Sequence, residues 1–138
     1  MITKPILVDT GPIVAALKND EQHHEACVKQ LRELSTPLFT CWPVLTEAAW
    51  LLRKHPQRVR ELLQSCDGTA YQILLLGTSD VAALNGVLAK YQDQGIQLAD
   101  ACLLRLAERE RIEYLFTLDR RDFTVFRTES NKSLELLP

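Results

Sequence analysis

The chain lacks the usual sequence features of a membrane or secreted protein. Its longest apolar stretches are about six residues, against the roughly 20 that a helix needs to cross a bilayer. The N-terminus has no hydrophobic region of the signal-peptide kind. We therefore expect a cytoplasmic protein with no membrane contact. A length of 138 residues, 46% of them hydrophobic, predicts a single domain over residues 1–138.

Paired cysteines and glycine-rich loops are also missing. The four cysteines show no C-x-x-C spacing and have apolar neighbours, which favours buried reduced thiols over disulfides or a zinc site. They are Cys27, Cys41, Cys66 and Cys102. Neither G-x-x-x-x-G-K-[ST] nor G-x-G-x-x-G occurs, and this argues against the standard nucleotide-binding loops.

The basic excess of a typical nucleic-acid binder is absent, because the formal net charge is −2. Four acids, however, form the pattern described below, and without them 14 acidic residues face 16 basic ones. If cations neutralised those four acids, the remaining surface would be mildly basic. Ten of the 16 basic residues fall into two groups: Arg53, Lys54, Arg58 and Arg60, then Arg105, Arg109, Arg111, Arg120, Arg121 and Arg127.

Strand-like and helix-like segments alternate along the chain. Apolar runs bounded by turn residues predict strands near 5–8, 38–41, 71–76, 114–118 and 134–137. Helical spacing and capping residues predict helices near 13–17, 21–34, 43–54, 56–66, 80–92 and 99–111. This alternation predicts an α/β fold of three layers, with a central parallel sheet of four to five strands and helices on both faces.

Four acids lie where an apolar segment ends or a helix begins. Asp9 follows the first strand, Asp119 follows the fourth, Glu47 lies on the helix after the second, and Asp100 opens a late helix. Ligands of open parallel sheets bind at the carboxyl ends of the strands, so we expect these acids to converge. Carboxylates about 5 Å apart repel by roughly 3 kcal/mol per pair at an effective dielectric constant near 20. A bound divalent cation removes that repulsion, so the pattern predicts a site for hard metal ions.

Each acid also has a simpler structural explanation. Asp100 could only cap its helix, and Asp9 and Asp119 could only form turns. Glu47 is harder to explain in this way, because its helix is apolar on nearly every side and an unpaired buried carboxylate is costly. We therefore expect Glu47 to be buried and to need a partner such as a metal ion.

Histidines and aromatic residues give weaker signals. His23, His24 and His55 lie in polar or connecting segments, and we assign them to surface or packing roles. Single aromatic residues in a small domain more often lie in the core than stack on bases, and we assign them to the core. The residues concerned are Trp42, Trp50, Tyr71 and Phe123.

The ordered acidic motifs resemble the PIN-domain family, in the version found in VapC-type toxins. The matching segments are Asp9-Thr10-Gly11-Pro12, Thr46-Glu47, Leu98-Ala99-Asp100-Ala101 and Thr117-Leu118-Asp119-Arg120-Arg121-Asp122-Phe123. They occur in the family's order over residues 5–127. Each segment is a weak signal alone, whereas the ordered set of four is specific.

This resemblance implies a three-layer PIN-like fold and a Mg²⁺- or Mn²⁺-dependent endoribonuclease, the toxin of a type II toxin-antitoxin pair. Thr117 corresponds to the family's hydroxyl residue beside the last acid, and Asp122 to an auxiliary acid that we do not assign as a ligand. The implied partners are an RNA substrate, a cognate antitoxin and a second copy in a homodimer. The implied metal-binding acids are Asp9, Glu47, Asp100 and Asp119.

Two other functions stay open. One is a catalytically idle PIN domain that docks RNA or protein, against which the complete acid set argues. The other is a receiver-like Mg²⁺-binding signalling module. That module would need adjacent acids after the first strand and a lysine after a late strand, whereas Lys4 precedes the first strand here and Thr117-Leu118-Asp119 occupies the late position.

Overall fold

A computed structural model describes residues 4–35 and 37–138, and at its centre is an all-parallel five-stranded sheet. The strand order is β3-β2-β1-β4-β5. The strands are β1 (Ile6–Val8), β2 (Leu38–Thr40), β3 (Gln72–Ile73), β4 (Tyr114–Phe116) and β5 (Glu135–Leu137). The helices of the described residues are α1 (Thr10–Leu17), α2 (His24–Glu33), α3 (Trp42–Leu51), α4 (Pro56–Ser65), α5 (Val81–Lys90), α6 (Leu98–Glu110) and α7 (Arg120–Phe123).

The chain reverses direction across the sheet at β1. From β1 it steps outward to β2 and then β3, and it returns past them to add β4 on the other side of β1. Crossovers between parallel strands are right-handed, and this rule assigns α1 to α4 to one face and α5 and α6 to the opposite face. The all-parallel five-stranded sheet and its seven helices confirm the predicted three-layer α/β fold. The switch point, where ligands of such sheets bind, lies between β1 and β4.

Continuous apolar sequence explains why β1 and β4 lie at the centre. All three residues of β1 are fully buried, and so are Leu115 and Phe116 of β4. A parallel strand covered on both faces needs such a run instead of an alternating pattern. Burying one side chain of this size stabilises the fold by roughly 1.5–3 kcal/mol. These strands therefore form a rigid base for whatever follows their carboxyl ends.

Several predicted boundaries are wrong, each for a local reason. Strand β3 has two residues instead of the predicted six because it is an edge strand, and Leu75 beyond it is 69% exposed. Helix α1 begins at Thr10, three residues before the prediction, because the Asp9 side chain caps it. The charged turn α7 was not predicted as a helix. Its N-cap is Asp119, and Phe123 anchors it in the core.

The side-chain predictions outside the acidic site are mixed. Cys27, Cys41 and Cys102 are buried free thiols, and Cys66 is a half-buried one. Tyr71 and Phe123 lie in the core as predicted. The core assignment is wrong for Trp42 and Trp50, whose exposed fractions are 49% and 63%.

No helix in the described ranges is long and apolar enough to cross a bilayer. This agrees with the short apolar runs of the sequence.

A buried ion-pair cluster joins α5 to α6. Asp80, 2% exposed, accepts hydrogen bonds from Arg105 Nε at 2.9 Å, from Arg109 Nη1 at 3.0 Å and from the Gly77 N–H at 2.9 Å. Arg105 also pairs with Glu129 at 3.1 Å. The Gly77 N–H and then the two arginines hold the pKa of Asp80 below its usual range, against the opposing effect of burial. Arg105 and Arg109, two members of the second basic group in the sequence, therefore have a structural role.

We expect Asp80→Asn to lower the free energy of unfolding by about 3 kcal/mol at neutral pH, because two arginines would lose a buried charge partner. The native contacts lower the pKa of Asp80 from an unfolded value of about 3.9. Its stabilisation is therefore complete above that pH and is lost as the pH falls through the folded pKa. Urea denaturation at neutral and acidic pH measures the difference, which should close in acid.

The matched control is Asp93→Asn, since Asp93 is an exposed acid in the turn after α5. It should leave stability unchanged. Equal stability of Asp80→Asn and the wild-type protein at neutral pH would show that the cluster does not hold the two helices together.

Candidate active site

The candidate site lies at the switch point, where β1 and β4 end side by side. Asp9 directly follows β1, and its backbone N–H donates to the Phe116 carbonyl oxygen at 2.9 Å. Thr117 directly follows β4 and is fully buried. The parallel register, which pairs Val8 with Phe116, brings these two residues together.

Both carboxylate oxygens of Asp9 are held by hydrogen bonds. Oδ1 accepts from the Thr10 N–H at 2.7 Å, and Oδ2 accepts from Thr117 Oγ1 at 2.8 Å. The same Thr117 hydroxyl accepts from the Asp119 N–H at 3.0 Å, which leaves its own proton for Asp9. Burial raises the pKa of Asp9, with the charges of Glu47 and Asp119 adding to the rise and the two hydrogen bonds opposing it. Thr117 thus joins two of the predicted acids.

Glu47 lies on α3, and our expectation that it is buried is wrong. It is half-buried, and its Oε2 accepts a hydrogen bond from Thr10 Oγ1 at 3.2 Å. The apolar sequence around it misled the prediction because Trp42 and Trp50 on the same helix face solvent. Among the described residues, the hydrogen-bond partner of Glu47 is therefore a neutral hydroxyl. Thr10 is a site residue that the sequence indicated only through the family pattern.

Asp100 is both a helix cap and a member of the acidic site. It lies in the first turn of α6, where Oδ2 accepts from the Gln97 N–H at 3.1 Å. Burial raises the pKa of Asp100 to about 6, against the opposing effect of this hydrogen bond. Negative charge on Asp9, Asp119 and Glu47 adds to the rise. Asp100 therefore caps its helix and also belongs to the acidic site.

Asp119 lies at the exposed rim of the site. Its Oδ1 accepts from the Asp122 N–H at 3.3 Å and caps α7. Partial enclosure of the carboxyl raises the pKa of Asp119, with the charge of Asp122 adding and the Asp122 N–H and Arg121 opposing. The turn-forming explanation is therefore also correct, and it orients the acid.

Gly11 allows the two halves of the site to approach closely. A Cβ atom at this position would lie 3.3 Å from Cβ of Leu118, tighter than ordinary van der Waals contact. The first turn of α1 therefore packs directly against the segment that carries Thr117 and Asp119. A larger residue would push these elements apart.

The four acids influence one another electrostatically without forming a ready-made metal cage. Within the described residues, no three acidic, histidine or cysteine side chains converge closely enough to hold an ion. In the same part of the chain, none of the four acids forms an ion pair with a lysine, arginine or histidine. The charges of Glu47 and Asp119 raise the pKa values of Asp9 and Asp100. Like charges that form no ion pair within the described residues are expected to stay apart until a cation binds.

The donor set fits a hard divalent cation. All four side chains offer carboxylate oxygens, the ligands that Mg²⁺ and Mn²⁺ prefer, and Mg²⁺ usually keeps several waters instead of demanding an all-protein cage. The hydrogen bonds on Asp9 leave lone pairs on both oxygens, because each carboxylate oxygen can accept more than once. Metal binding by Asp9, Glu47, Asp100 and Asp119 stays a prediction.

Comparison with known proteins agrees with this architecture. The profile of the PIN domain matches residues 6–127. Ribonuclease VapC26 of Mycobacterium tuberculosis is 27% identical over 135 residues, covering 96% of this chain and all of that protein.

Two solved structures share the fold. The crystal structure of Mycobacterium tuberculosis VapC20, described as a sarcin-ricin loop cleaving toxin, has a TM-score of 0.79 at 14% identity and covers 87% of this chain and 94% of its own. The Rickettsia felis VapBC2 structure, bound to a promoter DNA fragment, has a TM-score of 0.69 at 15% identity over 97% of this chain and 99% of its own. At such low identity they establish the fold alone. Because the family profile spans nearly the whole length, the chain belongs to the PIN-domain family.

Proposed function

We propose that this protein is a divalent-metal-dependent endoribonuclease of the VapC type, the toxin of a toxin-antitoxin pair. The observation that carries the proposal is the acidic site itself. A buried aspartate, two half-buried acids and a rim aspartate lie around the switch point of a parallel sheet, close enough for their charges to interact and without an ion-paired cation in the described residues. The similarity to a VapC ribonuclease over almost the full length of both proteins supports the same activity.

The chain's own residues would divide the work of hydrolysis. Asp9 and Asp100 would hold a Mg²⁺ or Mn²⁺ ion, Glu47 would hold it or position the attacking water, and Asp119 would contribute through water. When bound, such an ion supplies the positive charge that stabilises a phosphodiester transition state. Thr117 would keep the Asp9 carboxylate in one orientation, because its hydroxyl donates to that carboxylate and is itself fixed by the Asp119 N–H.

The proposed partners follow from the same activity. Solved VapBC assemblies with this fold support a cognate antitoxin as the restraining partner. We further propose a cytoplasmic protein, since that is where its RNA substrate would be, with a single PIN domain over residues 1–138. The resemblance to VapC-type toxins also implies a homodimer. An idle docking module would share the fold but would not need four interacting acids, so the cleavage experiment below separates the two functions.

We expect Asp9→Asn or Asp100→Asn to abolish RNA cleavage in the presence of Mg²⁺, because each substitution removes a charged ligand while keeping size and shape. Each variant should keep the far-UV spectrum of the wild-type protein. The assay is cleavage of a labelled RNA with Mg²⁺ and, as a control, with EDTA. The matched variant is Asp20→Asn, an exposed acid in the turn before α2, which should cleave at the wild-type rate. Wild-type cleavage by Asp100→Asn would refute the assignment.

Mg²⁺ or Mn²⁺ should raise the melting temperature of the wild-type protein and barely change that of the double Asp9→Asn, Asp100→Asn variant. Binding to the folded state alone stabilises by about 2.7 kcal/mol at one hundred times the dissociation constant. Without metal, the double variant should be the more stable protein, because repulsion among the remaining acids is weaker. Equal metal-induced shifts in the two proteins would show that the ion binds elsewhere.

Thr117→Val should lower activity by roughly 10- to 100-fold, the usual effect of losing a residue that orients a metal ligand. It should also lower stability by about 1–3 kcal/mol, because Asp9 Oδ2 and the Asp119 N–H lose their buried partner. Thr117→Ser keeps the hydroxyl and should restore most activity. A purely structural role for Thr117 would leave the Mg²⁺ concentration for half-maximal cleavage unchanged in Thr117→Val, whereas we expect it to rise.

A further inference from the structure

A groove of about 680 Å³ lies beside the acidic site, between α3 and the start of α6. We call it the tryptophan groove, and the residues that matter for its function are Trp42, Glu47 and Trp50 on one side and Leu98 on the other. Glu47 belongs to both the groove and the acidic site. Asp100 follows the groove residue Ala99 in sequence, so the groove adjoins the segment that carries a second acid of the site.

The groove exposes apolar side chains that a folded protein normally buries. Trp42, Trp50 and Leu98 are each about half exposed or more, and the two tryptophans are the only ones in the sequence. A cluster of large exposed apolar side chains typically marks a binding surface. Their position next to the acids suggests that they bind the same molecule.

Arg53 turns Trp50 into a stacking platform. Its guanidinium carbon lies 3.9 Å from the centre of the Trp50 ring, and its Nη1 donates to the Trp50 carbonyl oxygen at 2.9 Å. The arginine holds a positive charge against one part of the ring, while the high exposure of Trp50 leaves the rest open. Aromatic rings backed by arginine are a recurring surface for unpaired bases, because every base offers a π-face.

Charge beyond Trp50 favours nucleic acid over a protein partner. Residues 48–66 contain four basic residues and a single acid, Glu61. In the described parts of the chain, no ion pair uses Arg53, Lys54 or Arg60, and all three are exposed. Cations without acidic partners complement a phosphate backbone, and they would offset the repulsion that RNA meets at the acids.

We propose that the tryptophan groove binds the single-stranded RNA segment next to the cleaved phosphate, with a base stacked on Trp50 and phosphates against Arg53 and Lys54. The inference rests on the proposed ribonuclease function and adds the surface that holds the substrate. It makes Trp50 a substrate-binding residue whose effect is on affinity and not on the chemical step.

Tryptophan fluorescence tests the proposal directly, because both tryptophans lie in the groove. The titration uses a short unstructured single-stranded RNA and the Asp100→Asn protein, so that the RNA is not cleaved. We expect RNA to quench the emission, also in a Trp42→Phe version whose only tryptophan is Trp50. Trp50→Leu in the same background, followed by anisotropy of labelled RNA, should bind about 10-fold more weakly, since one stacked base contributes that order of affinity.

Three further variants serve as controls. Trp50→Phe keeps a π-face and should retain most of the affinity. Leu75→Ala removes an exposed apolar side chain outside the groove and should change nothing. Arg53→Glu should weaken binding and make it less sensitive to salt, because one phosphate contact is lost. This last variant tests the proposal independently of how well Trp50→Leu folds.

Steady-state cleavage with Asp100 intact separates this inference from the proposed function. We expect Trp50→Leu to raise KM about 10-fold with little change in kcat. The reason is that base stacking on Trp50 would stabilise the bound substrate and the transition state equally. The two proposals can therefore fail separately. If RNA binding depends on Trp50 but the wild-type protein cleaves no RNA with Mg²⁺, the ribonuclease function is refuted and RNA binding by the tryptophan groove is supported.

Two results would overturn the proposal. The first is unchanged RNA affinity in folded Trp50→Leu and Arg53→Glu proteins. The second combines two measurements. Light scattering would show that the wild-type protein is a dimer and Trp50→Leu a monomer, and the wild-type tryptophan emission would change with protein concentration but not with RNA. That outcome would show that a second copy of the chain covers the groove.

Discussion

The hydrogen bond from the Thr117 hydroxyl to Asp9 is the interaction on which the rest of the site depends. It crosses the junction of β1 and β4, the two most buried strands, at the point where the chain direction across the sheet reverses. Burial makes the charged form of Asp9 costly, and this bond together with the Thr10 N–H offsets part of that cost. The sheet therefore holds a destabilised negative charge in a fixed direction.

The alternation of apolar runs along the sequence was enough to predict the fold. It was also enough to predict which acids follow the ends of strands. Asp9 and Asp119 could be placed from the strands that precede them, and parallel strands end at one edge. The burial of individual side chains could not be predicted in the same way. Glu47 and Trp50 lie three residues apart in a run of mostly apolar residues. Which side of α3 is exposed to solvent depends on how the helix packs against its neighbours, and the sequence does not show this. The charged turn α7 has no apolar period, so its helix follows from the Asp119 cap and could not be read from pattern.

A count of the arginines likewise does not show which of them are paired within the protein. Arg105 and Arg109 count as basic surface in the sequence, yet they are largely committed to Asp80. Arg53 and Lys54 have no acidic partner in the described residues, and they follow α3, the helix that carries Glu47. A net charge of −2 therefore describes the protein poorly, because its cations and anions are sorted into different regions. The proposed substrate would meet a positive track that leads to a negative centre.

Helix α6 carries Asp100 in its first turn, and the two arginines that bind Asp80 follow about one and a half and two and a half turns later. A helix rotates about 100° per residue, so fixing the direction of two side chains on one flank fixes the direction of every other side chain along the helix. The Asp80 cluster consequently sets the rotational position of α6 about its own axis. The direction in which Asp100 points therefore depends partly on ion pairs in the core of the domain. Loss of these ion pairs would misalign the Asp100 carboxylate in the active site.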